Sequence, residues 1–370
     1  MAFFNLKFFG FFNSYASRLA QRCTNFRVAK CGRCAIMAVK NVVHGGAFMS
    51  EKKIGVLASG GDAPGMNAAI RAVVRACLSR GMQVVGIRRG YNGLLAADAI
   101  SMDFSSVSGI IGKGGSILYS ARSKEFKTSE GVLRARDSCK QLGLDGLVVI
   151  GGDGSLRGAT ELSEAGIPCV LVPATIDNDV PCSEYSIGFD TASNTAIQMI
   201  DKIRDTAEAF ERCIVVEVMG RRCGNIALQT GISAGATAIL LPEADFDLQR
   251  DVIDKIKALR GKGQNHFIVV VAEGVGGLED LTQRIADGTG VGARSTVLGH
   301  VQRGGVPTVR DRVIATEMGA KAVEVLAAGG ESKVISMNEG KIVAHDILEG
   351  MDRKTSFDVD LYQTALRISI

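Results

Sequence analysis

The chain has 370 residues, of which 46% are hydrophobic and 22% charged, with 45 Gly, 6 Pro and no Trp. Such a chain can bury a large core divided between two domains, which excludes a small binding module or a disordered scaffold. The net charge of +4 arises in residues 1–48, whose seven Lys or Arg stand without any Asp or Glu; taking those seven away leaves the remainder at −3, which excludes a basic footprint for nucleic acid and turns any basic pocket toward phosphorylated small molecules.

Residues 1–48 form a leader with Phe3, Phe4, Phe8, Phe9, Phe11 and Phe12, interrupted by Asn5, Lys7 and Gly10. They contain no apolar run near the ~18 residues a membrane span requires. Met49-Ser50-Glu51-Lys52-Lys53 reads as an ordinary bacterial start, so the leader is expected to be an over-extended start, with an organelle targeting segment as the alternative. Cys31 and Cys34 make a single CxxC with no second pair or nearby His, a weak zinc pattern. Cys77, Cys139, Cys169, Cys182, Cys213 and Cys223 are scattered through apolar surroundings as small hydrophobes, which fits a reducing, cytoplasmic setting.

From Ile54 onward, apolar runs alternate with helical patterns. The predicted strands are Ile54–Ala58, Val84–Ile87, Leu147–Ile150, Cys169–Val172, Ile214–Met219, Ile239–Leu241, Phe267–Ala272 and Ser295–Leu298. Continuous apolar strands separated by helices predict an α/β fold of two Rossmann-like three-layer α/β/α domains with mostly parallel sheets. A helix over about Thr191–Glu211, with Ala192, Ala196, Ile197, Ile200 and Ile203 on one face, carries the chain across near Gly188. A loop at Gly304-Gly305-Val306-Pro307 returns it, so the expected domains are discontinuous: 50–188 with about 302–351, and 189–301 with about 352–370.

Parallel sheets bind ligands beyond the carboxyl ends of their strands, where the polar residues gather: Ser59-Gly60-Gly61-Asp62, Gly151-Gly152-Asp153-Gly154-Ser155, Thr175 to Asp179, Gly220-Arg221-Arg222 and Glu273. In the loop after Leu147–Ile150, glycines let backbone N–H groups approach a polyphosphate, and Asp153 offers oxygen to a hard cation such as Mg²⁺. The loop Pro173-Ala174-Thr175-Ile176-Asp177-Asn178-Asp179 presents carboxylates at i and i+2, one to take a proton from an attacking hydroxyl and one to help order metal and phosphate. Together they read as a phosphoryl-transfer site in the cleft between the domains.

Four motifs in order, Ile54-Gly55-Val56-Leu57-Ala58-Ser59-Gly60-Gly61-Asp62-Ala63-Pro64-Gly65-Met66-Asn67, the two loops just given, Val215-Val216-Glu217-Val218-Met219-Gly220-Arg221, and Thr296-Val297-Leu298-Gly299-His300-Val301-Gln302-Arg303-Gly304-Gly305, resemble the bacterial-type ATP-dependent 6-phosphofructokinases from Lys53 to the C-terminal region. The resemblance implies transfer of the ATP γ-phosphoryl group to the 1-hydroxyl of fructose 6-phosphate in glycolysis. It implies Asp177 as general base, Thr175 as donor to the transferring group, Asp179 as electrostatic support, and Arg122 and Arg221 as neutralisers of developing charge. Asp153 would hold Mg²⁺, with Gly61, Arg122, Ser123, Gly152, Gly154 and Ser155 around the nucleotide. Arg212, Arg294, His300 and Arg303 would take the sugar phosphate, with Met219, Gly220 and Glu273 along the sugar. In the family Arg212 and Arg294 come from a neighbouring subunit, which implies a homotetramer with shared active sites.

Pyrophosphate-dependent relatives carry Asp where this chain has Gly154 and Lys where it has Ala174; two small neutral residues leave room for ATP. The chain lacks both a strand-borne Gly-x-Gly-x-x-Gly and a GxxxxGK[ST] loop, against a nicotinamide oxidoreductase and a P-loop kinase. A silent sugar-phosphate-sensing subunit would be expected to lack Asp177 or Asp153. The family's effector pocket for ADP or phosphoenolpyruvate is matched by Arg71, Arg75, Arg204 and Lys262. Phe104, Gly109, Thr237 and Gln264 depart from it, which predicts weak or absent activation by ADP.

Overall fold

In the computed structural model, residues 52–353 and 357–368 are described, so the leader with its CxxC lies outside the described residues. A seven-stranded sheet is built from β1 (Lys53–Ala58), β2 (Gln83–Ile87), β3 (Ala99–Ser101), β4 (Gly146–Gly151), β5 (Cys169–Pro173), β10 (Lys333–Asn338) and β11 (Lys341–Asp346), in the order β11-β10-β5-β4-β1-β2-β3. Its central strands are parallel, and only the edge pairs β2–β3 and β10–β11 are antiparallel. A second, fully parallel sheet holds β6 (Cys213–Val218), β7 (Ala238–Leu240), β8 (Phe267–Ala272) and β9 (Ala293–Val297), in the order β7-β8-β6-β9.

Alternation along the strands sorts the side chains into three cores. Val56, Val148, Ile150 and Val172 of the first sheet share one apolar cluster with Ile214, Val216, Ile268 and Val270 of the second. Leu57, Leu147, Val149 and Leu171 face a cluster on the outer side of the first sheet, and Cys213, Val215, Phe267 and Val269 one on the outer side of the second. Helix residues such as Val73, Ile200 and Met318 belong to the same cluster as the inner strands of both sheets, so one continuous core joins the two halves, which favours a fixed geometry at the strand ends.

The helices are α1 (Met66–Ser79), α2 (Gly90–Leu95), α3 (Ser129–Gln141), α4 (Asp153–Glu164), α5 (Phe189–Ala209), α6 (Asn225–Ser233), α7 (Asp254–Gly261), α8 (Leu278–Thr289), α9 (Val309–Ala328), α10 (Ile347–Asp352) and α11 (Val359–Ile368). Helix α5 starts two residues before the expected Thr191, because Gly188, at φ 103, turns the chain into it. It ends at Ala209, where Glu211, at φ 50, breaks the helical path. All eight expected strands form within two residues of their predicted ends. The short β3 and the hairpin β10–β11 were not foreseen, because edge strands need neither apolar continuity nor burial on both faces. Among the described residues Cys77, Cys139, Cys169, Cys182, Cys213 and Cys223 are free thiols, and no helix is long and apolar enough to cross a membrane.

Candidate active site

A cleft of about 430 Å³ opens at the carboxyl ends of β1, β4 and β5 and is closed on the far side by Arg221 and Arg303. Its walls hold Gly61, Arg122, Ser123, Gly152, Asp153, Gly154, Ser155, Thr175, Asp177 and Asp179. The expected nucleotide and catalytic residues are therefore gathered in one place. Apart from Arg122 and Ser123, which lie on the stretch just before the short turn Glu125–Lys127, each stands on the first residues after a strand or at a helix start, where the chain leaves the buried sheet and meets solvent.

The loop between β4 and α4 is built by close approach. A Cβ at Gly151 would meet Ser155 Oγ at 2.3 Å and the Ser59 carbonyl at 2.6 Å, so only glycine lets these segments touch. Ser155 Oγ donates to Ser59 O at 3.1 Å, and the Tyr91 hydroxyl donates to Ser155 O at 2.9 Å. These bonds fix the amino end of α4, a twelve-residue helix whose first amides face the cleft, a ready place for an anion. At Gly154 a Cβ would meet nothing within 4 Å, so the space that the nucleotide reading requires is present.

The loop after β5 places the carboxylates. Asp177 is 6% exposed and its Oδ1 is buried without a hydrogen-bond partner. Its backbone N–H donates to Thr175 Oγ1 at 3.2 Å. Burial pushes its carboxyl above the usual carboxylate range, against the pull of Arg303; Glu273 adds to the rise and Arg221 opposes it. Asp179 is pushed up to about 6, chiefly by burial and then by the charges of Asp177 and Asp153. Asn178, at φ 52, turns the chain between them, its amide donating to Glu184 O at 3.1 Å.

Asp153 pairs with Arg157 at 3.2 Å across one turn of α4. Among the described residues no three His, Cys, Asp or Glu side chains lie close enough to hold a metal ion unaided. The donor set fits Mg²⁺ all the same, since that ion keeps several waters and takes one or two carboxylates together with substrate phosphates. Asp153, with Asp179 nearby, offers such carboxylate oxygen.

The sugar-side residues divide. Arg221 and Arg303 face the cleft, and Arg303 Nη1 donates to Asp62 O at 3.3 Å beside Gly61. The Arg221 N–H donates to Glu273, and the Met219 N–H donates at 3.3 Å to Gln302, a fully buried side chain, which orders the strand ends carrying Met219, Gly220 and Glu273. His300 is exposed on the short helix Gly299–Arg303. Arg212 and Arg294 are elsewhere. Arg212 precedes β6, its guanidinium 4.3 Å from the Phe210 ring centroid, and Arg294 pairs in register with Ile214 at the amino end of β9. The six residues of β6, at about 3.3 Å rise each, separate them from Met219 and the cleft mouth.

The expected effector residues stand on separate elements: Arg71 and Arg75 on α1, Arg204 on α5 with its guanidinium donating to Ala234 O, and exposed Lys262 just beyond α7. None borders the cleft.

Sequence reasoning missed the cleft's aromatic wall and its clamp. Tyr91 and Phe126 stack at 3.9 Å against Gly158, and Asn225 Nδ2 donates to Asp177 O at 3.2 Å and Asn178 O at 3.1 Å. Tyr91 sits on the six-residue α2 and Phe126 on the three-residue turn Glu125–Lys127, too short to show a periodicity, and an Asn at a helix start reads as an ordinary cap.

Glycine-built loops, a buried and a half-buried carboxylate and facing arginines at the ends of mostly parallel sheets define a phosphate-handling α/β protein. The chain belongs to the phosphofructokinase family, whose model matches residues 53–326. Similar curated proteins are the ATP-dependent 6-phosphofructokinases of Halalkalibacterium halodurans and Bacillus thuringiensis, each 51% identical over 319 residues, 86% of this chain and 100% of theirs. The phosphofructokinase structure from Saccharomyces cerevisiae superposes with a TM-score of 0.79 at 33% identity, over 85% of this chain, which spans 50% of the yeast chain. A pyrophosphate-dependent phosphofructokinase from Marinobacter aquaeolei, 22% identical with a TM-score of 0.74 over 84% of this chain and 86% of its own, shares the fold.

Proposed function

We propose that this protein transfers the γ-phosphoryl group of ATP to the 1-hydroxyl of fructose 6-phosphate, giving fructose 1,6-bisphosphate and ADP in glycolysis. The observation that carries the mechanism is Asp177: a buried carboxylate on the cleft wall, one oxygen unpartnered, its proton affinity raised by burial. A base so tuned takes the sugar hydroxyl proton as the oxygen attacks phosphorus. The amides at the start of α4, with Gly61, Ser123, Gly152, Gly154 and Ser155, cradle the polyphosphate, while Arg122 and Arg221 face the charge that spreads over the transferring oxygens. Thr175 donates to that group, and Asp179 supports the site electrostatically. Asp153 would hold Mg²⁺, which would supply positive charge against the phosphate oxygens.

ATP is the donor this cleft favours over pyrophosphate, because Gly154 faces open space and Ala174 is small, neutral and buried. Arg303, His300, Met219, Gly220 and Glu273 serve the sugar phosphate. Arg212 and Arg294, remote from the chain's own cleft, serve a neighbouring subunit's in a homotetramer with shared sites, a reading their distance from this chain's cleft supports. The nucleotide half spans 50–188 with about 302–351, and the sugar half the remainder. Arg71, Arg75, Arg204 and Lys262 form a phosphate-bearing effector site at an interface between subunits. ADP or phosphoenolpyruvate would be its ligand, with ADP activation weakened because exposed Phe104, Gly109, buried Thr237 and Gln264 supply no charge. A silent sensing subunit is disfavoured by the placement of both Asp153 and Asp177 in the cleft.

Asp177→Asn tests the mechanism. Turnover should fall by about two to four orders of magnitude while fructose 6-phosphate binding, measured by calorimetry, persists. Unchanged turnover would refute the assignment.

A further inference from the structure

Asp311 is 0% exposed, and among the described residues no basic side chain pairs with it. A buried carboxylate in such a place is costly unless donors surround it. Four donors do. The Tyr185 hydroxyl donates at 2.6 Å and the Gly188 N–H at 2.8 Å to one oxygen; the Thr191 N–H donates at 2.9 Å, and the Thr191 hydroxyl closely, to the other. All four come from residues 185–191, the stretch that follows the Asp177 loop.

That stretch holds the loop in turn. Ser186 Oγ donates to Thr175 O at 2.7 Å, the Ser186 N–H donates to Asn178 Oδ1 at 2.7 Å, and the Ile187 N–H donates to Pro173 O at 3.0 Å. Asp311 itself lies in the first turn of α9, the helix that follows Gly299–Arg303. Its N–H donates to Thr308 Oγ1 at 3.3 Å, and the Thr308 N–H donates to Thr191 Oγ1 at 3.0 Å. One buried anion therefore ties the segment behind the base to the segment that delivers Arg303 to the cleft.

We infer that Asp311, with Tyr185 and Thr191 as its side-chain donors, is a positioning residue that holds the Asp177 loop in register with Arg303. The inference rests on Asp177 being the base. A hydrogen-bonded buried network of this kind admits one arrangement, and a base displaced by about 1 Å loses up to 10²-fold in rate.

Tyr185→Phe is the informative variant, because it keeps the ring under the Arg310 guanidinium, 4.5 Å from its centroid, and removes only the hydroxyl. In the full-length enzyme, kcat should fall about tenfold, with KM for both substrates within about twofold and a melting curve that stays cooperative and well above the assay temperature, though lowered by the lost hydrogen bond. Thr191→Val should act alike and Thr191→Ser should restore the rate. Asp311→Asn, which leaves one acceptor oxygen for four donors, should cost more. The Asp177→Asn/Tyr185→Phe double variant should be no slower than Asp177→Asn alone, because the hydroxyl acts through the base. Wild-type kcat in folded Tyr185→Phe, or additive losses in the double variant, would overturn the inference. If Asp177→Asn alone kept its turnover, the base assignment would fall instead, and the Tyr185→Phe result would be read without it.

Discussion

The two sheets contribute to the cleft in opposite ways. Every expected residue of the nucleotide side lies on the cleft wall: Gly61 and Gly152 to Ser155 on loops that leave parallel strands of one sheet, Arg122 and Ser123 on the stretch just before the short turn Glu125–Lys127. On the sugar side, Arg221 and Arg303 reach the cleft, but Arg212 and Arg294 stand at the amino ends of β6 and β9, a strand's length away. On the proposed assignment the donor half is complete within one chain, and the acceptor half takes Arg212 and Arg294 from a neighbour. Phosphoryl transfer makes sense of this division: a polyphosphate is held by backbone amides that only local folding can arrange, whereas a sugar phosphate can be held by long cationic side chains from any neighbour.

The largest expected effect after loss of Asp177 lies on the complete side. Gly154→Asp places a carboxylate in the open space beside the polyphosphate, and like-charge juxtaposition of several kcal/mol should lower kcat/KM for ATP by about 10²-fold, with the melting temperature unchanged. Steady-state kinetics with varied ATP would show it, and an unaffected ATP response would mean that the nucleotide lies elsewhere.

On the incomplete side, Arg294→Ala and Arg212→Ala should each raise KM for fructose 6-phosphate by roughly 10- to 100-fold, the worth of a hydrogen bond to a charged group, and leave KM for ATP alone. Mixing subunits sharpens the comparison. Asp177→Asn chains and Arg294→Ala chains, unfolded and refolded together, should recover activity at low fructose 6-phosphate, where neither shows it by itself, because a hybrid interface would hold one intact site. Absence of recovery in the mixed assemblies would place both halves in the same chain.

The smallest effect is on stability. Asp179 has its carboxyl raised from 3.8 to about 6 by burial and by Asp177 and Asp153. The folded state therefore binds that proton more tightly than the unfolded one, so the group's contribution is fully present below pH 3.8 and is lost as pH rises through about 6. Asp179→Asn should match the wild type in melting temperature near pH 4 and exceed it modestly above pH 7. Equal melting temperatures across that range would contradict the raised value.

The nucleotide side was the more legible in the sequence for the same physical reason that it is complete. A loop such as Gly151 to Ser155 is written in consecutive residues, and its flanking strands announce themselves as unbroken apolar runs buried on both faces. The motif around Asp177 was read in the same way, and its carboxylates stand where the strand end puts them. What the sequence could not display is contact across distance: Asn225 gripping the Asp177 carbonyl, Tyr91 stacked on Phe126, and Asp311 collecting donors more than a hundred residues away. The hairpin β10–β11 escaped because its strands are only partly buried, so its pattern lacks the continuity that marks the centre of a sheet.

The measurement that bears most directly on the whole account is phosphorylation of fructose 6-phosphate by the purified full-length chain with Mg²⁺ and either ATP or pyrophosphate as donor. The account predicts fructose 1,6-bisphosphate and ADP in equal amounts with ATP and no turnover with pyrophosphate. Turnover with pyrophosphate alone would contradict the reading of Gly154 and Ala174, and silence with both donors would contradict the assignment of the cleft as a phosphoryl-transfer site.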